Sequence, residues 1–305
     1  MFVWDKAGAG QIQFDSAELG VAELGAIIEN TVLQQMLFAK VKAAENISVF
    51  CPQQIAKINY PLVAHEVEEN DADARRQGAD KTQLSASIEL TSANTIHTAL
   101  LVGADGVHSA VREAACIARA KRSYQQQGLV CNVSTSEDHQ NTAWQCFMPS
   151  GPLAFLPLYN GQSSIVWSLD EDAAQQVMAM DDDTFRSALA EAGEFKLGEI
   201  LDVGQRFLFP LSHGHVDEYV KPGLALIGDA AHNIHPLAGQ GANLGIADAF
   251  ALAEVIATAR NAGRQWWALH TLKKYQRQRK GANRIMEMSM TGFKELFGND
   301  NALLS

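Results

Sequence analysis

The sequence predicts a mixed α/β chain (an α+β mixture) in which a discontinuous, Rossmann-like nucleotide-binding domain is interrupted by an inserted antiparallel-sheet domain. Three observations predict it. Helix-and-strand patterning at both ends encloses a middle third in which short strands follow one another. Two distant segments, 100–112 and 223–245, each run from a buried strand through a Gly/Asp turn into a helix. The chain has 305 residues, 47% hydrophobic and 19% charged, which suits a sizeable core and one large or two modest domains.

The same composition excludes disorder for the bulk of the chain, and also a collagen-like or low-complexity chain. A formal charge of −11 argues against a general nucleic-acid binder, so no nucleic-acid partner is expected. Cys51, Cys116, Cys131 and Cys146 form no C-x-x-C pair and read as reduced, mostly buried thiols of a cytoplasmic protein. No charged-then-apolar leader opens the sequence, and no apolar run of about 18 residues occurs. Contact with a membrane is therefore expected only from its surface.

Taken in order, Met1–Trp4 and Gln11–Phe14 flank a Gly-rich turn and predict a hairpin. Leu24, Ile27, Ile28, Val32, Leu33, Met36, Leu37 and Val41 recur at helical spacing. Strands are expected at 47–51, 55–60, 86–90 and 96–103, with a solvated hairpin tip or loop over 65–82. The middle third gives strands at 128–133, 143–148, 153–158 and 163–169, with Asn160-Gly161 as a turn signal. A helical stretch over 171–193 follows, then strands at 203–211 and 224–227. From about Leu237 the pattern is helical, with a break near Gly263. The expected domains are 1–45, 95–120 and 212–305 for the nucleotide-binding part, 46–94 for connecting strands and a hairpin, and 121–211 for the β-rich insertion.

The first motif is Leu100-Leu101-Val102-Gly103-Ala104-Asp105-Gly106-Val107-His108-Ser109-Ala110-Val111-Arg112. Its glycines let backbone approach a ligand, and Asp105 is an acceptor at the carboxyl end of a strand, where open α/β sheets bind ligands. Alone, it is equally well read as an ordinary capped turn. The second runs from Gly223 to Gly245. A buried strand delivers Gly228 and Asp229 into a crevice, Pro236 stiffens the turn, and the small residues Ala238 to Gly241 leave room for a flat ligand. The helix that begins there aims free N–H groups and its positive end at the crevice, which suits a pyrophosphate or a reduced, anionic ring. His232-x-x-His235 and His213-x-His215 have ligand spacing, but no third or fourth ligand is evident nearby, so no metal is expected.

These two segments resemble the DG and GD motifs of the FAD-dependent aromatic hydroxylases of the para-hydroxybenzoate hydroxylase type. Within that family the text is similar to the ubiquinone-biosynthesis hydroxylases, and in particular to the 2-polyprenylphenol hydroxylase branch. Met1–Asp5, Leu24–Asn30, Leu153–Leu158, Ser164–Leu169 and Tyr275–Lys280 extend the resemblance over nearly the whole chain. One departure stands out. Family members open with a strand–Gly-x-Gly-x-x-Gly–helix unit for the ADP half of FAD, and this sequence has none. Gly8-Ala9-Gly10-Gln11-Ile12-Gln13 lacks the third glycine and falls in a hairpin turn. The last helices of the family are also missing after Ser305, so the Rossmann-like FAD-binding domain is expected to be truncated.

The resemblance implies a flavoprotein monooxygenase: NAD(P)H reduces FAD, O2 is taken up as a flavin hydroperoxide, and the aromatic ring of a polyprenyl phenol or quinone precursor is hydroxylated in ubiquinone biosynthesis. It implies that Asp105, Gly106, Arg112, Gly228, Asp229, Pro236, Gly239, Gly241, Ala242 and Asn243 bind cofactor. Phe155, Leu156, Pro157 and Trp167 would form an apolar substrate-side wall. No catalytic acid or base is assigned. The basic run Arg264, Lys273, Lys274, Arg277, Arg279, Lys280 and Arg284 reads either as a solvated helix face or as a surface for anionic lipid, which would place the protein on the inner face of a membrane. Met286, Met290, Phe293 and Phe297 share a helix face that suits packing. Two alternatives stay open. One is a non-catalytic remnant, a substrate-binding or assembly subunit of a quinone-biosynthesis complex. The other is a flavin reductase acting on prenyl double bonds.

Overall fold

The computed structural model describes residues 1–6, 8, 10–61, 86–233 and 240–297. The expected hairpin tip at 65–82, Pro236 and Gly239 lie outside them, as do the side chains of Met290, Phe293 and Phe297. The chain forms two compact units. One comprises Met1–Val49, Ser123–Ser212 and Met288–Ser305, and the other comprises Phe50–Arg122 and His213–Glu287.

The first unit is built on one sheet. From Arg119–Thr135 outward its strands run in the order Arg119–Thr135, Ser163–Asp170, Leu153–Pro157, Trp144–Phe147, Phe2–Asp5 and Gln11–Gln13, and Ile200–Val203 also pairs with Arg119–Thr135. Neighbours are antiparallel except Phe2–Asp5, which runs parallel to Trp144–Phe147. Side chains alternate across a strand, so every second residue faces one side. Leu129, Cys131 and Val133, then Leu153 and Phe155, then Ile165 and Trp167 therefore form one apolar face. The helices Glu171–Ala179 and Asp182–Ala192 cover it with Ala174, Val177, Phe185, Leu189 and Ala190. Burying each large apolar side chain contributes about 1.5–3 kcal/mol. The expected single helix over 171–193 is two helices because Asp181 caps the second, accepting from the Thr184 N–H at 2.8 Å.

The N-terminal hairpin forms as expected, but it belongs to this sheet and not with the nucleotide-binding segments. Buried Trp4 explains the placement: it packs in the apolar cluster and donates its indole N–H to Glu194 Oε2 at 2.7 Å. The helical pattern begun at Leu24 becomes a helix only over Asn30–Ala43. Gly20, at φ +65°, and Gly25 precede it and favour turn over helix. Its apolar residues do not reach a core: none is buried, and Val32, Met36, Leu37 and Phe38 are all exposed. No strand forms over 47–51.

The second unit contains two small sheets. Ile55–Asn59, Ala86–Leu90 and Thr95–Thr98 form an antiparallel one. Val220–Lys221, Leu224–Leu226 and Leu101–Gly103 form the other, and its last two strands are parallel, with Leu226 opposite Gly103. The strand expected over 96–103 is thus two strands in different sheets. Likewise the strand expected over 203–211 is two, Ile200–Val203 and Phe207–Val216. The helices Gln240–Asn261 and Leu269–Phe297 are separated at Gly263, whose φ of +67° ends the first of them. Leu101, Val111, Leu224, Leu226, Leu252, Leu272 and Tyr275 form the core. Over Gly241–Asn261 the chain is long and apolar enough to cross a membrane by length and composition alone, with mean hydropathy 1.4, although Asn243, Asp248 and Glu254 interrupt any continuous apolar run. Leu244, Asp248, Ala251, Leu252 and Ala259 on this helix are nonetheless buried within the protein.

All four cysteines are free. Cys131 and Cys146 are buried, whereas Cys51 and Cys116 are exposed, so the expectation of mostly buried thiols holds for half of them.

Candidate functional site

The two Gly/Asp motifs meet in the second unit. Leu101–Gly103 and Leu224–Leu226 are adjacent parallel strands, and the Ile227 N–H donates to Gly103 O at 3.0 Å. Asp105 and Asp229 therefore follow the carboxyl ends of neighbouring parallel strands, the place where α/β sheets hold ligands. The close pairing needs glycine: a Cβ on Gly103 would sit 2.7 Å from Leu226 Cδ2.

Beyond the first strand, Ser109 caps the short helix Ala110–Ala114, and Asp105 Oδ2 accepts from the Val111 N–H in its first turn at 3.1 Å. Gly106 turns the chain at φ +80° and has no atom within 4 Å of where a Cβ would stand. Arg112 is buried and ties the two motifs together, donating through Nη2 to Val107 O at 2.9 Å and through Nη1 to Ala230 O at 3.0 Å. Arg119, which sequence reasoning missed, donates to Val107 O at 3.1 Å and to Asn233 Oδ1. Burial and the neighbouring Arg112 lower the Arg119 pKa, and Asp229 acts in the opposite direction. These two arginines give the site a positive character that suits a phosphoryl group.

Beyond the second strand, Gly228–Ala230 forms a single 3-10 turn, with Gly228 at φ +57° and Asp229 exposed. The first turn of the helix Gln240–Asn261 carries Gly241, Ala242 and Asn243. Ala242 and Asn243 are exposed, and no atom lies within 4 Å of a Cβ built on Gly241. An open glycine at a helix start, where the first N–H groups have no partner within the helix itself, beside an exposed carboxylate, fits a flat anionic ligand with hydroxyl groups, as FAD is. The residues present fit the flavin and ribityl half of that cofactor. No Gly-x-Gly-x-x-Gly turn for the other half occurs in this sequence.

Behind the second motif lies a charged cluster that the sequence reading did not identify. Asp248 is fully buried and bonded to His232, Arg279, Asn283 and the Gly228 N–H. Burial alone would raise its carboxyl pKa, but those hydrogen bonds outweigh burial and hold it below the usual carboxylate range. His232 thus serves Asp248, at 2.5 Å, and Tyr219 stacks on its ring at 5.7 Å between centroids. A usable signal was present: Asp248 is the first charged residue of an otherwise apolar helical run, and Arg279 and Asn283 are one helical turn apart. A shallow hollow nearby is lined by His215, Tyr219, His232, Asn233, Lys280 and Arg284, among others; neither Asp105 nor Asp229 borders it.

In the first unit, the expected substrate-side residues divide. Phe155 and Trp167 face the helix-covered side and belong to the core. Leu156 alternates to the other face, beside Ser164, and Pro157 ends the strand half-buried. The period of two separates residues that the sequence reading grouped by polarity alone.

A protein family described as FAD binding domain matches residues 62–289. The 3-demethoxyubiquinol 3-hydroxylase of Escherichia coli K12 is 35% identical over 297 residues, covering 97% of this chain and 70% of that protein. The human ubiquinone biosynthesis monooxygenase COQ6, described as mitochondrial, is 32% identical over 332 residues, covering 97% of this chain and 68% of its own length. Among solved structures, pqsL, a probable FAD-dependent monooxygenase from Pseudomonas aeruginosa, superposes with a TM-score of 0.75 at 18% identity, over 97% of this chain and 78% of that one. The p-nitrophenol 4-monooxygenase PnpA from Pseudomonas putida gives 0.67 at 15% identity, over 90% and 65%. At such identities the likeness is one of fold.

Proposed function

The chain belongs to the FAD-binding-domain family of flavin-dependent hydroxylases, and from that premise we propose that it hydroxylates the aromatic ring of a polyprenyl phenol in ubiquinone biosynthesis, using NAD(P)H as electron donor. The observation that carries the reading is the convergence of the Asp105 and Asp229 turns at the ends of two adjacent parallel strands. FAD, when bound, supplies the activated oxygen; the protein's part is placement and exclusion of water.

Asp229 would accept hydrogen bonds from ribityl hydroxyls. The Gly241–Asn243 backbone would donate to the ring or the pyrophosphate, and Pro236 and Gly239 would line the ring. Asp105 and Gly106 would shape the near wall, while Arg112 keeps the two turns in register through its two carbonyl contacts. In the first unit Leu156 is the remaining candidate for the substrate side, because Phe155 and Trp167 are engaged in packing.

The lipophilic tail of such a substrate favours catalysis at a membrane surface. On the helix Leu269–Phe297, Lys273, Arg277, Lys280 and Arg284 fall at four-, three- and four-residue spacing, which puts them along one face. Lys273, Arg277 and Arg284 are exposed. That ridge would bind anionic headgroups, through an attraction that salt must weaken.

The test begins with FAD. The purified chain should quench flavin fluorescence on titration and carry absorbance near ~450 nm, because the chromophore is the cofactor's own. With NADH, O2 and a prenylated phenol, the product should gain one oxygen atom. Failure to bind at high micromolar FAD would reject catalysis by this polypeptide and favour the alternative, a substrate-binding or assembly subunit. NADH oxidation that ignores the phenol would favour a reductase.

A further inference from the structure

We propose that Asp248 is the positioning residue of the Gly228–Asn233 turn, a buried carboxylate that holds Asp229 in place from behind. The inference rests on the reading that Asp229 faces the cofactor. Asp248 Oδ2 accepts from the Gly228 N–H at 3.0 Å and lies 2.5 Å from His232 Nε2. One oxygen therefore grips both flanks of Asp229, the residue before it and a residue three after it. The other oxygen, Oδ1, accepts from Arg279 Nε at 2.7 Å and Asn283 Nδ2 at 3.3 Å, and Arg279 Nη2 also donates to Asn283 Oδ1 at 2.9 Å.

The packing agrees with this role. Gly245 precedes Asp248 by three residues, so both lie on the helix side that faces the turn. A Cβ on Gly245 would stand 3.2 Å from Gly228 Cα, so glycine there lets the helix come close enough for the carboxylate to reach. Gly228 itself, at φ +57°, adopts a left-handed backbone conformation that suits glycine and would strain a residue with a Cβ. A fully buried carboxylate is costly to desolvate, and apolar side chains in place of the whole Asp248–Arg279–His232 group would pack as well for stability alone. The charge is explained if its work is to fix backbone donors at the turn.

Amide hydrogen exchange on the whole chain decides it. In Asp248→Asn, peptides covering 228–233 should exchange about tenfold faster or more, the scale of one lost charge-assisted hydrogen bond, while Leu129–Val133 and Leu101–Gly103 stay unchanged. Gly245→Ala keeps every charge and should loosen the same peptides, which covers the case in which Asp248→Asn fails to fold. No acceleration at 228–233, or one spread evenly over the unit, overturns the proposal. A second arm uses FAD affinity: Asp248→Asn should weaken it in the natural chain and add nothing in an Asp229→Ala background. Additive losses would mean that Asp248 does not act through Asp229. A natural chain that takes up no FAD defeats the cofactor reading, and the exchange comparison still decides the positioning role.

Discussion

The two units solve the problem of a stable interior in opposite ways. The first closes an apolar sheet face with two amphipathic helices, and its largest fully buried side chains are Phe185, Leu129, Leu153, Ile165 and Leu189. The second has an apolar core too, but against it stands a network of Asp248, His232, Arg279, Asn283 and Tyr219. Apolar packing is non-directional and fixes little beyond density. Buried polar bonds are directional and fix geometry at a cost in desolvation. The unit that carries the two Gly/Asp turns is the one that accepts that cost.

The strongest way to break this contrast is Phe185→Ala. Removing a fully buried phenyl group from between helix and sheet should cost about 3–5 kcal/mol, read as a lower midpoint in urea unfolding. A loss under about 1 kcal/mol would mean that the site collapses and that the first core is not tightly packed. Next is Asp248→Ala, which leaves the Gly228 N–H and Arg279 without their acceptor and should cost about 3 kcal/mol. If Asp248→Ala were neutral, the polar network would be ornamental to the fold.

A finer test uses acid. The Asp248 carboxyl is held below its ordinary range, so it ionises more readily folded than unfolded. Its stabilising contribution is complete above the unfolded carboxylate pKa of about 3.9 and is lost as pH falls through the lower folded value. Arg279 and His232 are the charged or titratable partners that touch it. The stability gap between the natural chain and Asp248→Asn should hold at about pH 5 and narrow below about pH 4. A gap independent of pH across that range would show that the carboxylate contributes no charge-dependent stability.

The smallest effect concerns chemistry and leaves stability untouched. Burial pushes the thiols of Cys131 and Cys146 in the first unit up to about 12, with Glu194 adding to burial at Cys146. Cys51 and Cys116 in the second unit are exposed. Iodoacetamide on the native protein should label Cys51 and Cys116 alone, with all four labelled only after unfolding, as peptide mass spectrometry would show. Labelling of Cys131 in the native state would mean that the first core opens readily.

How much could be read in advance follows from the range of each interaction. The strands Ala86–Leu90, Leu153–Pro157 and Ser163–Asp170 match their expected positions within a residue or two, because alternation and turn residues are local signals. The helical pattern from Leu24 was misleading for the opposite reason. Periodicity marks a face that could be buried, but burial needs a partner, and Asn30–Ala43 buries none of its residues. Phe155 and Leu156 were grouped as one wall because both are apolar, until the pleat sent them to opposite faces.

By itself the sequence determined the two Gly/Asp turns, the strands that feed them and the family they signal, since these depend on residues close together in the chain. The tertiary structure decided which strands lie side by side, that Arg112 bridges Val107 to Ala230, and that a helix residue nineteen positions after Asp229 is bonded to the turn carrying it. Such contacts join segments far apart in the chain, and no local pattern of spacing or polarity specifies a partner at that distance.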